Sequence, residues 1–330
     1  MRACVLTEYG SVDNLRVQDV ADPVPGPGNV LVDIHAAGVS YADLLVIQGK
    51  YQVLPTLPFV PGKEISGVVA AVGAGVNHFK PGMRVMGFAE MGGYAQRAVL
   101  AATDCFVIPA AMSFVDAAAM VIAFQTAHIA LMDRGQYRTG ETVLVNGASG
   151  AVGGAAVQLA KAKGAVVLAG LTTPGKAVAL TANGADHVID LARPDLAKSL
   201  REQVFAVTGG RGVDLVLDPI GGDVFDASLR ALAWRGRAVV IGFMSDRIPT
   251  LKANYLLIKN IGVSGLYRDS YGSQAPDEIR AVQEDLFELY STGKIKPAVM
   301  EVLPLQKVKQ ALDRLARREV FGRILLAPGK

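Results

Sequence analysis

The segment Gly147-Ala148-Ser149-Gly150-Ala151-Val152-Gly153 restricts the fold of this chain more than any other. It follows Thr142–Val145, an apolar strand-like run, and leads into the helical composition of Ala151–Lys163. Gly164 ends that helix, and Ala165–Ala169 supplies a second strand. Strand, glycine loop, helix and strand in that order form a βαβ unit whose glycines each have a task. One makes the tight turn, one lets backbone approach a pyrophosphate, and one lets the helix pack closely on the strand. The helix N-terminus adds free N–H groups and partial positive charge. Other loop chemistries are excluded. No Gly-Lys-Ser/Thr follows, so this is not a Walker loop. A nucleophile elbow needs Gly-x-Ser-x-Gly, and here Gly150 comes one residue too early for Ser149 to serve as nucleophile.

The pattern around this unit extends it. Candidate strands at His187–Asp190, Val213–Asp218, Arg237–Ile241 and Ile261–Leu266 alternate with helical stretches, one opened by Asp195 and stopped by Gly209-Gly210. Such alternation predicts a parallel sheet with helices on both faces. Residues before about 110 read differently, as short strands between Gly/Pro turns. Val30–His35, Ile65–Val72 and Met83–Met86 are strand candidates, and Pro55, Pro58, Pro61 and Gly62 stiffen a loop between them. Asp116–Met132 is helical. The tail leaves the βα pattern: an amphipathic helix Asp277–Ser291 carries Ile279, Val282, Leu286 and Leu289 on one stripe, followed by a strand, a helix near Leu305–Arg317 and a strand at Arg323–Leu326. With 330 residues against roughly 150 per domain, two domains are expected.

Composition narrows the function classes. Lysine plus arginine number 33 against 30 acidic residues, too even a balance for a nucleic-acid binder. Cys4 and Cys105 are the only cysteines, which excludes a disulfide scaffold and a four-cysteine zinc site. The uncharged run Thr142–Ala160 contains glycines, Asn146, Ser149 and Gln158 and makes a poor lipid-facing helix. Glu8 and Asp13 interrupt the N-terminus before an apolar segment forms, so no signal peptide and a cytoplasmic location are expected, with no membrane partner.

The end of the second strand bears on which nucleotide binds. A site for NAD usually places a carboxylate there for the ribose hydroxyls. This chain reads Ala169-Gly170-Leu171-Thr172-Thr173-Pro174-Gly175-Lys176. Two hydroxyls and a lysine replace the carboxylate, which favours the 2′-phosphate of NADPH through charge-assisted hydrogen bonds. The alternative for Lys176 is a solvated lysine in the first turn of the next helix.

Taken together, the chain resembles the medium-chain dehydrogenase/reductase superfamily, in its zinc-free quinone oxidoreductase (zeta-crystallin-like) branch. The resemblance runs through residues 36–44, Gln48-Gly49-Lys50-Tyr51, Pro58-Phe59-Val60-Pro61-Gly62-Lys63-Glu64 and the glycine loop. It continues in Gly184-Ala185-Asp186, Gly212-Val213-Asp214, Asp218-Pro219-Ile220-Gly221-Gly222 and Leu256-Leu257-Ile258-Lys259-Asn260. It implies an α/β chain: a GroES-like β-rich catalytic domain (1–122, completed by 267–330) and a Rossmann doubly wound parallel-sheet domain (123–266), with the active site in the cleft between them. It also implies a homodimer, and the β-branched edge strand Ile261–Leu266 is the segment expected to pair.

Zinc alcohol dehydrogenases of the superfamily have a cysteine where Ser40 stands and a histidine where Lys63 stands, so no metal site is expected. His35, His78, His128 and His187 are scattered. Lys63 either fills charge space beside Glu64 and Asp43 or snorkels to solvent. Related quinone reductases carry asparagine at Ser40 and a tyrosine at Leu191. The resemblance implies cofactor contacts from Ser40, Thr126, Gly147, Ser149, Gly150, Ala151, Val152, Gly153, Thr172, Thr173, Lys176, Gly242, Phe243 and Leu266. It implies catalytic roles for Tyr51, Tyr41 and Ser40. Tyr51 corresponds to a tyrosine linked to protonation in enoyl-thioester reductases, and packing at the cleft rim is its alternative. The expected activity is hydride transfer from NADPH to a quinone or a related electron-poor acceptor. An enone or enoyl-thioester reductase, and a non-catalytic NADPH-binding protein like some crystallins, stay open at this point.

Overall fold

The computed structural model describes residues 1–245 and 247–329, Pro174 by its backbone only. The chain divides into two compact units, Met1–Ile122 with Pro297–Lys330, and Ala123–Lys296. The first unit begins with β1 (Arg2–Leu6), β2 (Leu15–Asp19), β3 (Asn29–Val39), helix α1 (Tyr41–Ile47), β4 (Glu64–Val72), β5 (Arg84–Phe88), β6 (Arg97–Ala101) and β7 (Cys105–Val107). Helix α2 (Phe114–Ile129) carries the chain into the second unit. There follow β8 (Thr142–Val145), α3 (Ala151–Ala162), β9 (Val166–Leu171), β10 (His187–Asp190), β11 (Val213–Asp218), β12 (Leu232–Val240) and β13 (Gly262–Gly265). The chain returns to the first unit with β14 (Val299–Pro304) and β15 (Arg323–Ala327).

In the first unit a seven-stranded sheet runs β14-β15-β3-β4-β5-β7, with β6 also on β3. β3 is longer than the candidate Val30–His35 because it pairs with β4, β6 and β15 at different points along its length. Its core gathers Leu6, Val32, Ile47, Ile65 and Tyr94, all buried.

The second unit is a six-stranded parallel sheet in the order β10-β9-β8-β11-β12-β13. Numbered from the first of its own strands this is 3-2-1-4-5-6, the doubly wound order in which ligands bind at the carboxyl ends where the order reverses. The reversal lies between β8 and β11. β8 is buried at all four positions, as a strand covered on both faces must be. β12 starts at Leu232, five residues before the candidate strand Arg237–Ile241, and a register irregularity between Val213 and Leu215 on β11 accommodates the extra length. Asp195 does precede the helix Leu196–Val207, but with φ +47° and no hydrogen bond from its side chain to the helix, so it is not a side-chain cap.

The return to the first unit comes at Pro297, not at 267. Polar contacts hold residues 267–296 in the parallel-sheet unit. Arg268 donates to Gln125 Oε1 at 2.6 Å, and Gln125 Nε2 to Gln283 Oε1 at 2.9 Å. Asp285 accepts from Lys163 Nζ at 2.8 Å and meets His128 Nε2 at 2.7 Å. The inner stripe of the helix Pro276–Ser291 is therefore Ile279, Gln283, Leu286 and Leu289, with a glutamine inside it. The apolar stretch Phe114–Arg134 has the length and composition of a membrane span, yet 72% of its apolar window is buried inside the protein, as in a core helix.

Candidate functional site

The glycine loop sits at the carboxyl end of β8. Gly147 has φ +61°, and a Cβ there would press on Ile220 at 3.2 Å. A Cβ on Gly153 would collide with the Gly147 carbonyl, so the third glycine is what lets α3 lie against the strand end. Gly150 is the N-cap of α3 and has no side chain with which to cap it. The first-turn N–H groups at Ala151, Val152 and Gly153 are thus left for a ligand. Ser149, Gly150, Ala151 and Val152 are half-buried. This is a cradle for a phosphate: backbone donors, a helix dipole and no side chain in the way.

Two further loops meet it. Pro219–Gly222 follows β11, with Gly221 and Gly222 at φ +73° and +54°. Gly242 and Phe243 follow β12, and Met244 N–H and Ser245 N–H donate to the carbonyls of Pro219 and Ile220 at 3.3 and 2.9 Å. Leu266 N–H donates to Val240 O at 3.0 Å, just after β13. At the end of β9, Ala148 N–H donates to Gly170 O at 3.1 Å, and the exposed Thr172 and Thr173 lie beyond. Lys176 ends a short 3₁₀ turn, its N–H bonded to Thr173 O at 3.0 Å, and burial pushes its ammonium below the ordinary lysine range. No Asp or Glu lies in 169–176. Leu191 is buried, with its N–H on Leu171 O. The structure thus gathers every expected residue of the second unit at this sheet end except Thr126, which is buried on α2 beside Gln125.

Ser40, Tyr41 and Tyr51 belong to the first unit and surround a different cluster. Ser40 caps α1: its Oγ accepts from Asp43 N–H at 3.2 Å and donates to Asp43 Oδ2 at 2.6 Å, while Ser40 N–H reaches the same carboxylate at 2.9 Å. This capping box ties the Ser40 hydroxyl to Asp43. Tyr94 OH adds a fourth bond to that assembly, donating to Asp43 Oδ2 at 3.0 Å. Burial raises the Asp43 carboxyl, against the bonds from Ser40 and Tyr94 and the charge of Lys63.

Lys63 is largely buried. It is 9% exposed, with Nζ 5.1 Å from the Tyr51 ring centroid and 5.2 Å from that of Phe88. An ammonium over aromatic faces is attracted by their quadrupoles. Glu64 is taken by Arg323 and by Ile122 N–H at 3.1 Å. Burial lowers the Arg323 guanidinium to about 10. A Cβ at position 38 would press on the ends of the Arg323 and Glu64 side chains. Tyr41 and Tyr51 are half-buried and pack on the sheet core. Among the described residues no group of three or more His, Cys, Asp or Glu side chains could hold a metal.

Sequence reasoning missed Tyr94 and Arg323, which come from strands and loops remote in sequence. It also missed Asn146, whose signal is a polar residue closing an apolar strand immediately before the glycine loop.

Residues 26–110 match the model of the alcohol dehydrogenase GroES-like domain, and 151–286 that of the zinc-binding dehydrogenase family. The chain is 36% identical over 327 residues to quinone oxidoreductase-like protein 2 of Rattus norvegicus, covering 99% of this chain and 92% of that one. The chain belongs to the medium-chain dehydrogenase/reductase superfamily, in its quinone oxidoreductase-like branch. It is an oxidoreductase of that superfamily. The human synaptic vesicle membrane protein VAT-1 homolog is 34% identical, over 100% of this chain and 87% of that one. The structure of Escherichia coli quinone oxidoreductase complexed with NADPH has a TM-score of 0.92 at 30% identity, covering 99% and 100% of the two chains. In the first unit the features that bear on chemistry are a helix-capping hydroxyl at Ser40 and a largely buried ammonium at Lys63.

Proposed function

We propose that the chain is an NADPH-dependent, zinc-independent reductase that delivers hydride to a quinone or a related electron-poor acceptor. The observation that carries this reading is the sheet end of the second unit: an uncapped helix N-terminus under the glycine loop, with Thr172, Thr173 and Lys176 in place of a carboxylate. Those residues fit a dinucleotide bearing a 2′-phosphate. The N–H groups of Ala151 and Val152 would hold its pyrophosphate, and Lys176 with the two threonines the 2′-phosphate. The E. coli relative solved with NADPH supports the same cofactor. When bound, NADPH supplies the hydride.

The first unit contributes charge without metal. Lys63, held among Tyr51, Phe88 and the Asp43 carboxylate, keeps a cation on this unit. A cation stabilises the oxyanion that hydride addition creates on a quinone. The Tyr51–Lys63 pair also gives weight to the enone or enoyl-thioester reading. Reduction of a conjugated double bond needs a proton at the neighbouring carbon, and a tyrosine hydroxyl can donate one.

The test is one panel with NADPH and three acceptors: 1,2-naphthoquinone, an α,β-unsaturated aldehyde and crotonyl-CoA. Fastest turnover on the quinone is the expected result. Turnover confined to crotonyl-CoA would replace the quinone reading, and no turnover on any of the three would favour a binding protein without catalysis.

A further inference from the structure

A buried carboxylate lies where the loops of the second unit meet, and the function proposed above leaves it without a role. Asp218 ends β11 and Asn146 follows β8, the adjacent strands between which the strand order reverses. Both side chains are fully buried. Asn146 Nδ2 donates to Asp218 Oδ1 at 2.8 Å and to Ser228 Oγ at 2.9 Å. The Ser228 hydroxyl spends its own proton on Val224 O at 2.8 Å, so both partners of the amide must accept. Asn146 Oδ1 meanwhile has no hydrogen-bond partner. The amide is therefore held in this orientation by Asp218 and Ser228. Asp218 Oδ2 accepts from Gly221 N–H at 2.7 Å, and Ile220 N–H is a further donor to the carboxylate. The carboxylate thus touches the residue that launches the glycine loop and the turn that packs on Gly147 and Phe243.

Such a carboxylate works against folding. Burial raises its pKa to about 6, against the bonds from Asn146, Gly221 and Ile220. The charged group acting on it is Asp226 of the following helix, which pushes the same way and is paired, with Asp223, to Arg247. An unfolded aspartate titrates near ~3.9. Between about pH 4 and 6 the folded chain therefore holds a proton that the unfolded chain has released. The resulting stability is present below that window and lost as pH rises through it. At neutral pH an asparagine would fill the same space without a charge to desolvate.

We propose that Asp218 is a positioning residue of the nucleotide site: its carboxylate ties Asn146 to the Gly221 turn and so holds the glycine loop and the Pro219–Gly222 loop in register. It acts on the cofactor through these loops without touching it. The proposal rests on the nucleotide reading above. Its signature is a split between stability and binding, because a purely structural residue would lose both together.

Asp218→Asn keeps the shape, removes the charge and turns an N–H toward either Asn146 Nδ2 or Gly221 N–H. The readouts are fluorescence titration with NADPH at neutral pH and thermal melting of the ligand-free protein from pH 4 to 8. The Kd should rise about tenfold or more, the loss of a charged hydrogen bond. The ligand-free variant should melt at or above the wild-type temperature at neutral pH, with its advantage growing from pH 4 to 6. Ser228→Ala, which keeps the carboxylate, should weaken NADPH about two- to fivefold. Unchanged affinity in either variant, or an Asp218→Asn protein that melts well below wild type or fails to fold, overturns the proposal. Wild-type protein that does not bind NADPH overturns the nucleotide reading instead.

Discussion

Lys176 and Tyr51 have different proposed roles, one at the 2′-phosphate and one at the acceptor, and separate in different experiments. Lys176→Ala removes a charged partner worth about 1.5–3 kcal/mol, so the NADPH Michaelis constant should rise roughly ten- to hundredfold while NADH kinetics change little. Equal weakening of both cofactors would place Lys176 in helix stability. Tyr51→Phe keeps the ring that faces Lys63 and deletes only the hydroxyl. A positioned acid contributes about 10²–10⁴-fold, so an enone reductase should lose that much turnover with nucleotide affinity intact. A hydroquinone anion takes its proton from water, and on a quinone the loss should be about tenfold or less. Turnover unchanged on both acceptors would leave Tyr51 as packing.

Among the elements, the glycine loop was the most legible from sequence because its constraints are local. Strand end, turn, helix start and close packing all lie within Thr142–Lys163. Gly153→Ala tests the tightest of them. The added Cβ meets backbone of Gly147 and Ala148, which a rotamer change cannot relieve. The substitution should lower the melting temperature by several degrees, as ~1–3 kcal/mol of overpacking does, and weaken NADPH retention in a thermal-shift titration. A variant that binds and melts as wild type would mean that α3 can slide without consequence. The parts that escaped the sequence are tertiary. Ser40, expected at the cofactor, also forms a capping box with Asp43 three residues later, a partner that the sequence reading does not include. For Lys63 the sequence offers a place beside Glu64 and Asp43 or a path to solvent; its charge acts on Asp43, while Glu64 is paired with Arg323, brought in by the last strand. The stripe Ile279–Leu289 had the right period but hid Gln283, whose partner Gln125 is 158 residues away.

For the molecule as a whole, the parallel sheet and the two-part chain follow from strand–helix alternation and the change of texture near residue 110, whereas the strand order and the division at Pro297 depend on contacts made only in the folded protein. The sheet of the second unit ends on β13, which among the described strands pairs with β12 alone. Leu257 and Ile258 on the helix just before it are 80% and 73% exposed. An apolar edge of this kind invites pairing with a second copy. Light scattering at micromolar concentration should therefore give a dimer that Leu257→Glu weakens, and a wild-type monomer would contradict the pairing. A metal-free reductase that prefers NADPH should show both properties in one kinetic comparison. That comparison is the steady-state reduction of 1,2-naphthoquinone by NADPH and by NADH, using protein stripped with a chelator. The expected result is a kcat/KM for NADPH at least about tenfold above that for NADH, a difference of roughly 1.4 kcal/mol or more, with no change on chelation. Equal or better use of NADH, or activity that returns only when zinc is restored, would contradict it.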